Sequence, residues 1–365
     1  MHDLLKTRTL LDRENHAMRI AVLSYPMLTQ QYGGLEIQIR ETLAALQSAT
    51  CDARLIDPIT EKLSDFDLIH VFAAGSGNFR IVQFANMVKR PVVMSPLLRD
   101  HWTESLGHHA RLLDRWMGRL TRWEVSTEYR DLLKGLEGSA RLVALGQRER
   151  QSIIDAFRIP PSRVEVVPNG IPARFFEAGP EAFVAHYGIQ PGFVLCVASI
   201  DSHKNQLGLA RALAGIGRAV VLIGDCNESN RSYLEEVLKL PNTHYLGRVA
   251  YDDPLLPSAY AAAGVFALVS MSEVMPLTTL EALAAGTPVV MTRHHGMDTA
   301  PFRHVIQEVE PRSASAIVHA IEYQLKHGAA PAACSQSVQH LTWAAVAKSL
   351  FAIYNDVLQR HRANP

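Results

Sequence analysis

Residues 269–292 read Val-Ser-Met-Ser-Glu-Val-Met-Pro-Leu-Thr-Thr-Leu-Glu-Ala-Leu-Ala-Ala-Gly-Thr-Pro-Val-Val-Met-Thr, with Glu273 and Glu281 separated by seven residues. The apolar run 265–269 reads as a buried strand, and a short loop after it carries Glu273. The spacing predicts a helix over 276–285 with Pro276 at its first position, where a fixed φ fits and a missing N–H costs nothing. Gly286 is placed to close that helix in the left-handed conformation, and Thr287-Pro288-Val289-Val290 begins another buried strand. This is a strand, loop, helix, strand unit of a parallel sheet. Its helix N-terminus faces the edge where open α/β sheets bind ligands, and the amides of residues 277–279 suit a phosphate there. Leu277, Leu280 and Ala284 form a stripe that should pack on the sheet, with Glu281 beside it. Taken alone, Glu281 reads as a glutamate favoured by the macrodipole of an early helical turn.

Working outward, a chain of 365 residues that is 48% hydrophobic and 20% charged is long enough for two α/β domains. Lysine plus arginine equals aspartate plus glutamate at 36 each, which argues against nucleic-acid binding by a wholly basic surface. Cys51, Cys196, Cys226 and Cys334 are far apart and read as reduced packing residues. No apolar run approaches the roughly 18 to 20 residues that cross a bilayer, and no signal peptide is apparent, so the expected location is cytoplasmic. Residues 1–17 are polar and are expected to form a weakly ordered leader ahead of the first strand.

Strands and helices alternate along the rest. Strands are expected at 20–23, 53–56, 67–72, 91–95, 142–144 and 164–167, and a helix after Gly33-Gly34 carries Leu35, Ile39, Leu43 and Leu46. The turn Asn169-Gly170-Ile171-Pro172 and the polar stretch 177–180 mark a boundary between 171 and 188. A second alternation has strands at 193–198, 219–223, 243–246, 265–268 and 288–291, with helices near 204–213, 229–240 and 254–263. The expected organisation is a first doubly wound domain over 18–180, a second over 181–340, and a C-terminal helix within 341–365. That helix shows Val346, Leu350, Ile353, Tyr354 and Val357 on one side, a stripe that must be buried.

The Glu273 and Glu281 pair, the following Ala-Leu-Ala-Ala-Gly-Thr-Pro-Val-Val, the Val167-Pro168-Asn169-Gly170-Ile171 linker, Gly33-Gly34, Leu246-Gly247-Arg248-Val249 and Leu341-Thr342-Trp343 occur in one order. In that order they resemble glycosyltransferase family 4, over nearly the whole chain after Met18. The resemblance implies the GT-B fold, two Rossmann-like domains facing a cleft with the C-terminal helix crossing back to the first. It also implies sugar transfer from a nucleotide donor with retention of anomeric configuration.

By that resemblance Glu281 accepts from the donor ribose, Glu273 contacts the transferred sugar, and the amides of Val274, Met275, Leu277 and Thr278 hold sugar hydroxyls or pyrophosphate. Pro276 has no amide to offer. Lys204 corresponds to the lysine that neutralises the diphosphate, and Gly33 and Gly34 let the backbone approach the donor phosphates. Two departures stand out. The family's arginine five residues before the lysine is Ser199 here, so Arg248 or Arg293 is the expected second cation. A histidine usual at the third or fourth strand of the first domain is absent where a strand ends Val92-Val93-Met94-Ser95-Pro96, which makes Ser95, Asp100 and His101 the candidates on the acceptor side. Asp65-Phe66-Asp67 could hold Mg²⁺ but sits at a strand start, away from the ligand edge, so no metal is expected. The co-substrate is a UDP- or GDP-linked sugar, no other cofactor is implied, and the expected acceptor is a glycan or polyprenyl-linked saccharide of bacterial exopolysaccharide or O-antigen synthesis.

The segment 100–135 is the most distinctive of the first domain. Leu113, Trp116, Leu120 and Trp123 recur at helical spacing beside Arg111, Arg115, Arg119 and Arg122, with His101, His108 and His109 nearby. Such a helix suits the face of an anionic membrane. Equally, its tryptophans could pack on the domain core with the arginines solvated. Two other functions fit parts of the pattern: a non-catalytic sugar-nucleotide-binding subunit, given the two departures, and a non-hydrolysing sugar-nucleotide epimerase of related fold.

Overall fold

The computed structural model describes residues 18–30, 33–49, 51–98, 101–122 and 124–363. The leader 1–17, Asp100 and Trp123 lie outside the described residues. Short strands joined by helical crossovers pair in parallel, and they do so in two sheets whose central strands are buried and largely apolar. The first contains β1 (Arg19–Leu23), β2 (Asp52–Leu55), β3 (Leu68–Phe72), β4 (Val92–Ser95), β5 (Arg141–Ala144) and β6 (Val164–Val166), in the order β2-β1-β3-β4-β5-β6. The second contains β7 (Val194–Val197), β8 (Val220–Ile223), β9 (Thr243–Tyr245), β10 (Val265–Leu268), β11 (Val289–Thr292) and β12 (Ile306–Val309), in the order β12-β11-β10-β7-β8-β9. The strand order reverses between β7 and β10. The loops leaving those two strands therefore splay apart into a crevice at the carboxyl edge, and they carry Lys204 and Glu273.

The predicted strands all form, within a residue or two of their expected ends, and β12 adds one that the sequence reading lacks. The helix after β10 spans Leu277–Ala284, and Pro276 precedes it with φ −69° and ψ 122° instead of opening it. Its burial also exceeds a one-sided stripe. Thr279, Glu281, Ala282 and Leu283 are buried with the predicted Leu277, Leu280 and Ala284, because the helix Pro331–Val338 packs over the outer side. Gly286 closes it at φ +86°, where a Cβ would also stand 2.8 Å from Pro331 Cβ.

The C-terminal helix spans Trp343–Ala363 and packs on the helix Gly34–Ser48. It buries Trp343, Val346, Leu350, Tyr354 and Val357 in a cluster with Ile20, Val22, Leu46 and Val93 of the first sheet region. His70, the polar exception in β3, joins that core: its Nδ1 lies 2.7 Å from Tyr354 Oη and its Nε2 2.9 Å from Ser95 Oγ. Burial pushes the His70 imidazole down to about 3, so it is neutral. The chain re-enters the first domain beside the linker, where Ile171 pairs with Thr342 and a Cβ on Gly170 would meet Trp343 N at 2.4 Å.

The helix Glu104–Leu120 overturns the core-packing reading of the stripe for Trp116 and its leucine neighbours. Trp116 is 60% exposed, Leu113 54% and Leu120 67%. Its inner face is instead Gly107, Asp114 and Gly118. A Cβ on Gly107 would sit 2.3 Å from Ala156 O, so the backbones touch and the large residues face out. Asp114 meets Arg130 at 2.7 Å. Arg111 parts from the other arginines: it is half-buried and donates to Ala156 O at 3.3 Å, while Arg115, Arg119 and Arg122 are exposed. Trp102 is buried, packed against Phe157 with ring centroids 4.9 Å apart.

Candidate active site

A cleft of about 530 Å³ opens between the two domains, lined from the second by the β7 and β10 loops and the N-terminus of the helix Leu277–Ala284. After β7, Ser199 Oγ donates to Asp201 Oδ2 at 2.8 Å, and Asp201 Oδ1 accepts from the Lys204 amide at 2.9 Å. Lys204 thus sits in a turn, two residues ahead of the helix Gln206–Leu213, and Asn205 between them adopts φ 59°. Asn205 Nδ2 donates to Val269 O at 3.1 Å, which ties this turn to the end of β10. The Met271 amide donates to His203 O at 2.8 Å and strengthens the tie.

The two loops bring the charged pair together: Lys204 Nζ lies 2.7 Å from Glu273 Oε1. Both side chains are largely buried, so the pair is weakly screened. An ammonium group has three donors, and Glu273 takes one. The Glu273 backbone is fixed separately, its amide donating to His294 O at 2.8 Å.

Glu281 lies one helical turn deeper. It is 3% exposed, and Tyr260 Oη donates to its Oε2 at 2.8 Å. Burial pushes its carboxyl up to about 7, opposed by the Tyr260 hydrogen bond and by the Arg174 charge. Tyr251 stands beside the same carboxylate, its buried hydroxyl without a hydrogen bond of good geometry, and two guanidinium groups lie over its ring: Arg174 at 4.5 Å and Arg40 at 5.3 Å from the centroid. Arg40 belongs to the helix that follows Gly33-Gly34, so the first domain reaches the surroundings of Glu281 directly.

Every predicted donor-side residue lines this one cleft: Gly33, Gly34, Lys204, Arg248, Glu273, Val274, Met275, Leu277, Thr278 and Glu281. A Cβ on Gly33 or Gly34 would meet nothing within 4 Å, because these glycines face open space. The Thr279 amide is taken by Pro276 O at 3.2 Å, so the first-turn amides at the cleft are those of Leu277 and Thr278. Arg248 is exposed on the wall, whereas Arg293 is exposed outside it. Asp67 Oδ2 accepts from the Arg19 amide at 2.9 Å, a cap at the far edge of the first sheet.

Neither described acceptor-side candidate stands on the wall of this cleft. Ser95 is buried against His70, and His101 is exposed beside Trp102 and off the cleft wall. The first domain presents Gln38, Leu97, Leu145 and Asn169 instead. Asn169 Nδ2 donates to Met275 O at 3.3 Å, joining the linker to the Glu273 loop. Leu97 holds φ +55°, an unusual conformation for a leucine. Buried Glu149 fixes both leucine loops, accepting from Leu98 N at 2.8 Å and Leu145 N at 2.7 Å. Tyr260 and Glu149 carry no local sequence signal, since their partners are distant or are backbone amides.

Two family models account for most of the chain: Glycosyltransferase Family 4 over residues 9–175 and Glycosyl transferases group 1 over residues 191–327. The chain belongs to glycosyltransferase family 4. A curated relative, D-inositol 3-phosphate glycosyltransferase of Kineococcus radiotolerans, is 27% identical over 62% of this chain and 60% of its own length. The match thus spans about three fifths of that relative. Sucrose-phosphate synthase from Thermosynechococcus elongatus superposes with a TM-score of 0.73 at 18% identity, covering 94% of this chain and all of that one (100%). Anabaena HepE, solved in complex with UDP and glucose, gives 0.67 at 15% identity, with 93% of this chain and 100% of that one covered. These structures share the GT-B fold.

Proposed function

We propose that this family 4 member is a retaining glycosyltransferase that moves a hexose from a UDP- or GDP-sugar to a hydroxyl of a glycan or lipid-linked saccharide. The observation that carries the reading is the convergence of Lys204, Glu273 and Glu281 on one interdomain cleft. Ionised Glu281 accepts from the ribose hydroxyls. Glu273 keeps Oε2 for the sugar while Oε1 holds Lys204, and the two remaining Lys204 donors with the Leu277 and Thr278 amides face the diphosphate. As the bond from the anomeric carbon to the phosphate oxygen breaks, positive charge grows on the sugar and negative charge on the leaving diphosphate, where these donors stabilise it. The acceptor oxygen bonds to the anomeric carbon on the same face, and its proton passes to the departing phosphate oxygen. Lys204 and the helix end supply phosphate-side charge without a metal.

The exposed Trp116, Leu113 and Leu120 beside Arg115, Arg119 and Arg122 support peripheral docking on an anionic membrane, where a lipid-linked acceptor of exopolysaccharide or O-antigen synthesis would be met. Among the described residues no helix is long and apolar enough to span one. Liposome flotation of the protein and of an Arg115, Arg119 double alanine variant tests this; absence of binding to anionic vesicles by either refutes it. For the reaction, NMR of the product anomer is decisive, and an inverted anomer rules out the same-face step. Nucleotide diphosphate release that survives Glu273→Gln undiminished removes the role given to Glu273.

A further inference from the structure

Leu97 and Leu145, just beyond the carboxyl ends of β4 and β5, line the interdomain cleft, and at the opposite, amino ends of these strands lies a second cavity of about 580 Å³. Its wall includes Lys89, Arg90, Arg141, Arg163, Arg360 and His361. The carboxylates nearby are Glu137, on the wall, and Asp356, which pairs with Arg141 at 2.7 Å and with Arg360 at 2.8 Å. Three helices, Phe79–Met87, Glu128–Gly138 and Trp343–Ala363, end here, and each C-terminus adds about half a negative charge. Part of the positive charge answers them: Arg163 donates to the carbonyls of Leu136, Glu137 and Ser139, closing the second helix.

The answer is incomplete. Five permanent cations face two carboxylates and three helix ends, which leaves an excess on the order of one to two positive charges. Burial holds the Arg163 guanidinium below the ordinary range, with Glu137 opposing the effect and Arg141 adding a smaller contribution to it. Buried Arg90 Nε has no hydrogen-bond partner among the described residues. A phosphomonoester carries about −1.5 to −2 at neutral pH with three acceptor oxygens, which matches both the charge excess and the geometry of several guanidinium groups around one space.

We propose that this cavity is a second ligand site, separate from the catalytic cleft, for a phosphate-bearing small anion held by Lys89, Arg141, Arg163 and Arg360. The site sits at a mechanically connected place. The helix Trp343–Ala363 begins at the interdomain linker, where Thr342 pairs with Ile171, and its last turns supply Arg360 and His361. His361 Nε2 donates to Lys89 O at 3.1 Å, so the helix end already touches the loop after Phe79–Met87. A bound anion bridges that helix end to the first sheet and thereby ties down the element that returns across the domain boundary.

Isothermal titration with inorganic pyrophosphate tests the site. The measurement is made on Lys204→Ala protein, so that binding in the catalytic cleft is suppressed. The expected result is one saturable event that weakens at least tenfold on adding Lys89→Glu with Arg360→Gln and is retained by Lys89→Arg. Donor hydrolysis by Lys89→Glu/Arg360→Gln protein with Lys204 intact should match the parent, which shows that the fold is kept. No binding by Lys204→Ala protein, or an affinity of the combined variant within threefold of that parent, overturns the proposal.

Discussion

Glu281→Gln separates what the buried carboxylate does for donor binding from what it costs the fold. Glutamine keeps the shape and an oxygen for Tyr260 Oη, and removes the charge. The wild-type carboxyl is raised from 4.5 to about 7 by burial. Between those values the folded state holds a proton that the unfolded chain has released, so wild-type stability falls as pH rises through this window. At 1.36 kcal/mol per pKa unit the full loss is on the order of 3 kcal/mol, of which about 1 has been lost by pH 5. Glutamine does not titrate, so the advantage of the variant should grow by about 2–3 kcal/mol between pH 5 and pH 8.5. In a domain of this size that corresponds to roughly 5–10 °C in Tm. Glu149, also raised to about 7, contributes the same slope to both proteins and cancels. Differential scanning calorimetry across that range reads the difference. A stability difference that stays flat with pH, or shrinks as pH rises, refutes the account of a buried, reluctantly ionised Glu281.

Lys204→Ala and Glu273→Gln should each lower kcat/KM for nucleotide diphosphate release by about 10²–10³-fold. The double variant should lose much less than the product of the two, because each single change leaves a largely buried partner without its 2.7 Å contact. Fully multiplicative losses would separate the pair. Tyr354→Phe should cost about 1–3 kcal/mol in denaturant unfolding by leaving neutral His70 Nδ1 unsatisfied, with the donor KM unchanged; a changed donor KM would implicate this core in the site.

The architecture was legible because parallel strands buried on both faces read as unbroken apolar runs, as in β1, β4, β5, β7, β8, β10 and β11. β12 escaped because Ile306-Gln307-Glu308-Val309 is half polar and needs only one neighbour. The convergence of Lys204 and Glu273 on one cleft was readable because they lie on two short loops whose spacing survives in sequence. The first-domain wall of the cleft was not. Ser95 stands where a strand meets the cleft, yet its hydroxyl is drawn inward by His70, whose burial depends on a helix 284 residues away. The outward stance of Trp116 was likewise hidden: periodicity shows a stripe but not its direction, and Gly107 decides that direction by letting two backbones touch.

The central claim is that the cleft around Lys204, Glu273 and Glu281 binds a nucleotide sugar through the Glu281 carboxylate. Titration calorimetry of the wild type and of Glu281→Ala against UDP-, GDP-, ADP- and dTDP-sugars at pH 8 tests it most directly. The account predicts saturable binding of a UDP- or GDP-sugar by the wild type and at least tenfold weaker binding by the variant. Equal affinity in the two proteins, or no binding of any donor by a folded wild type, would contradict it.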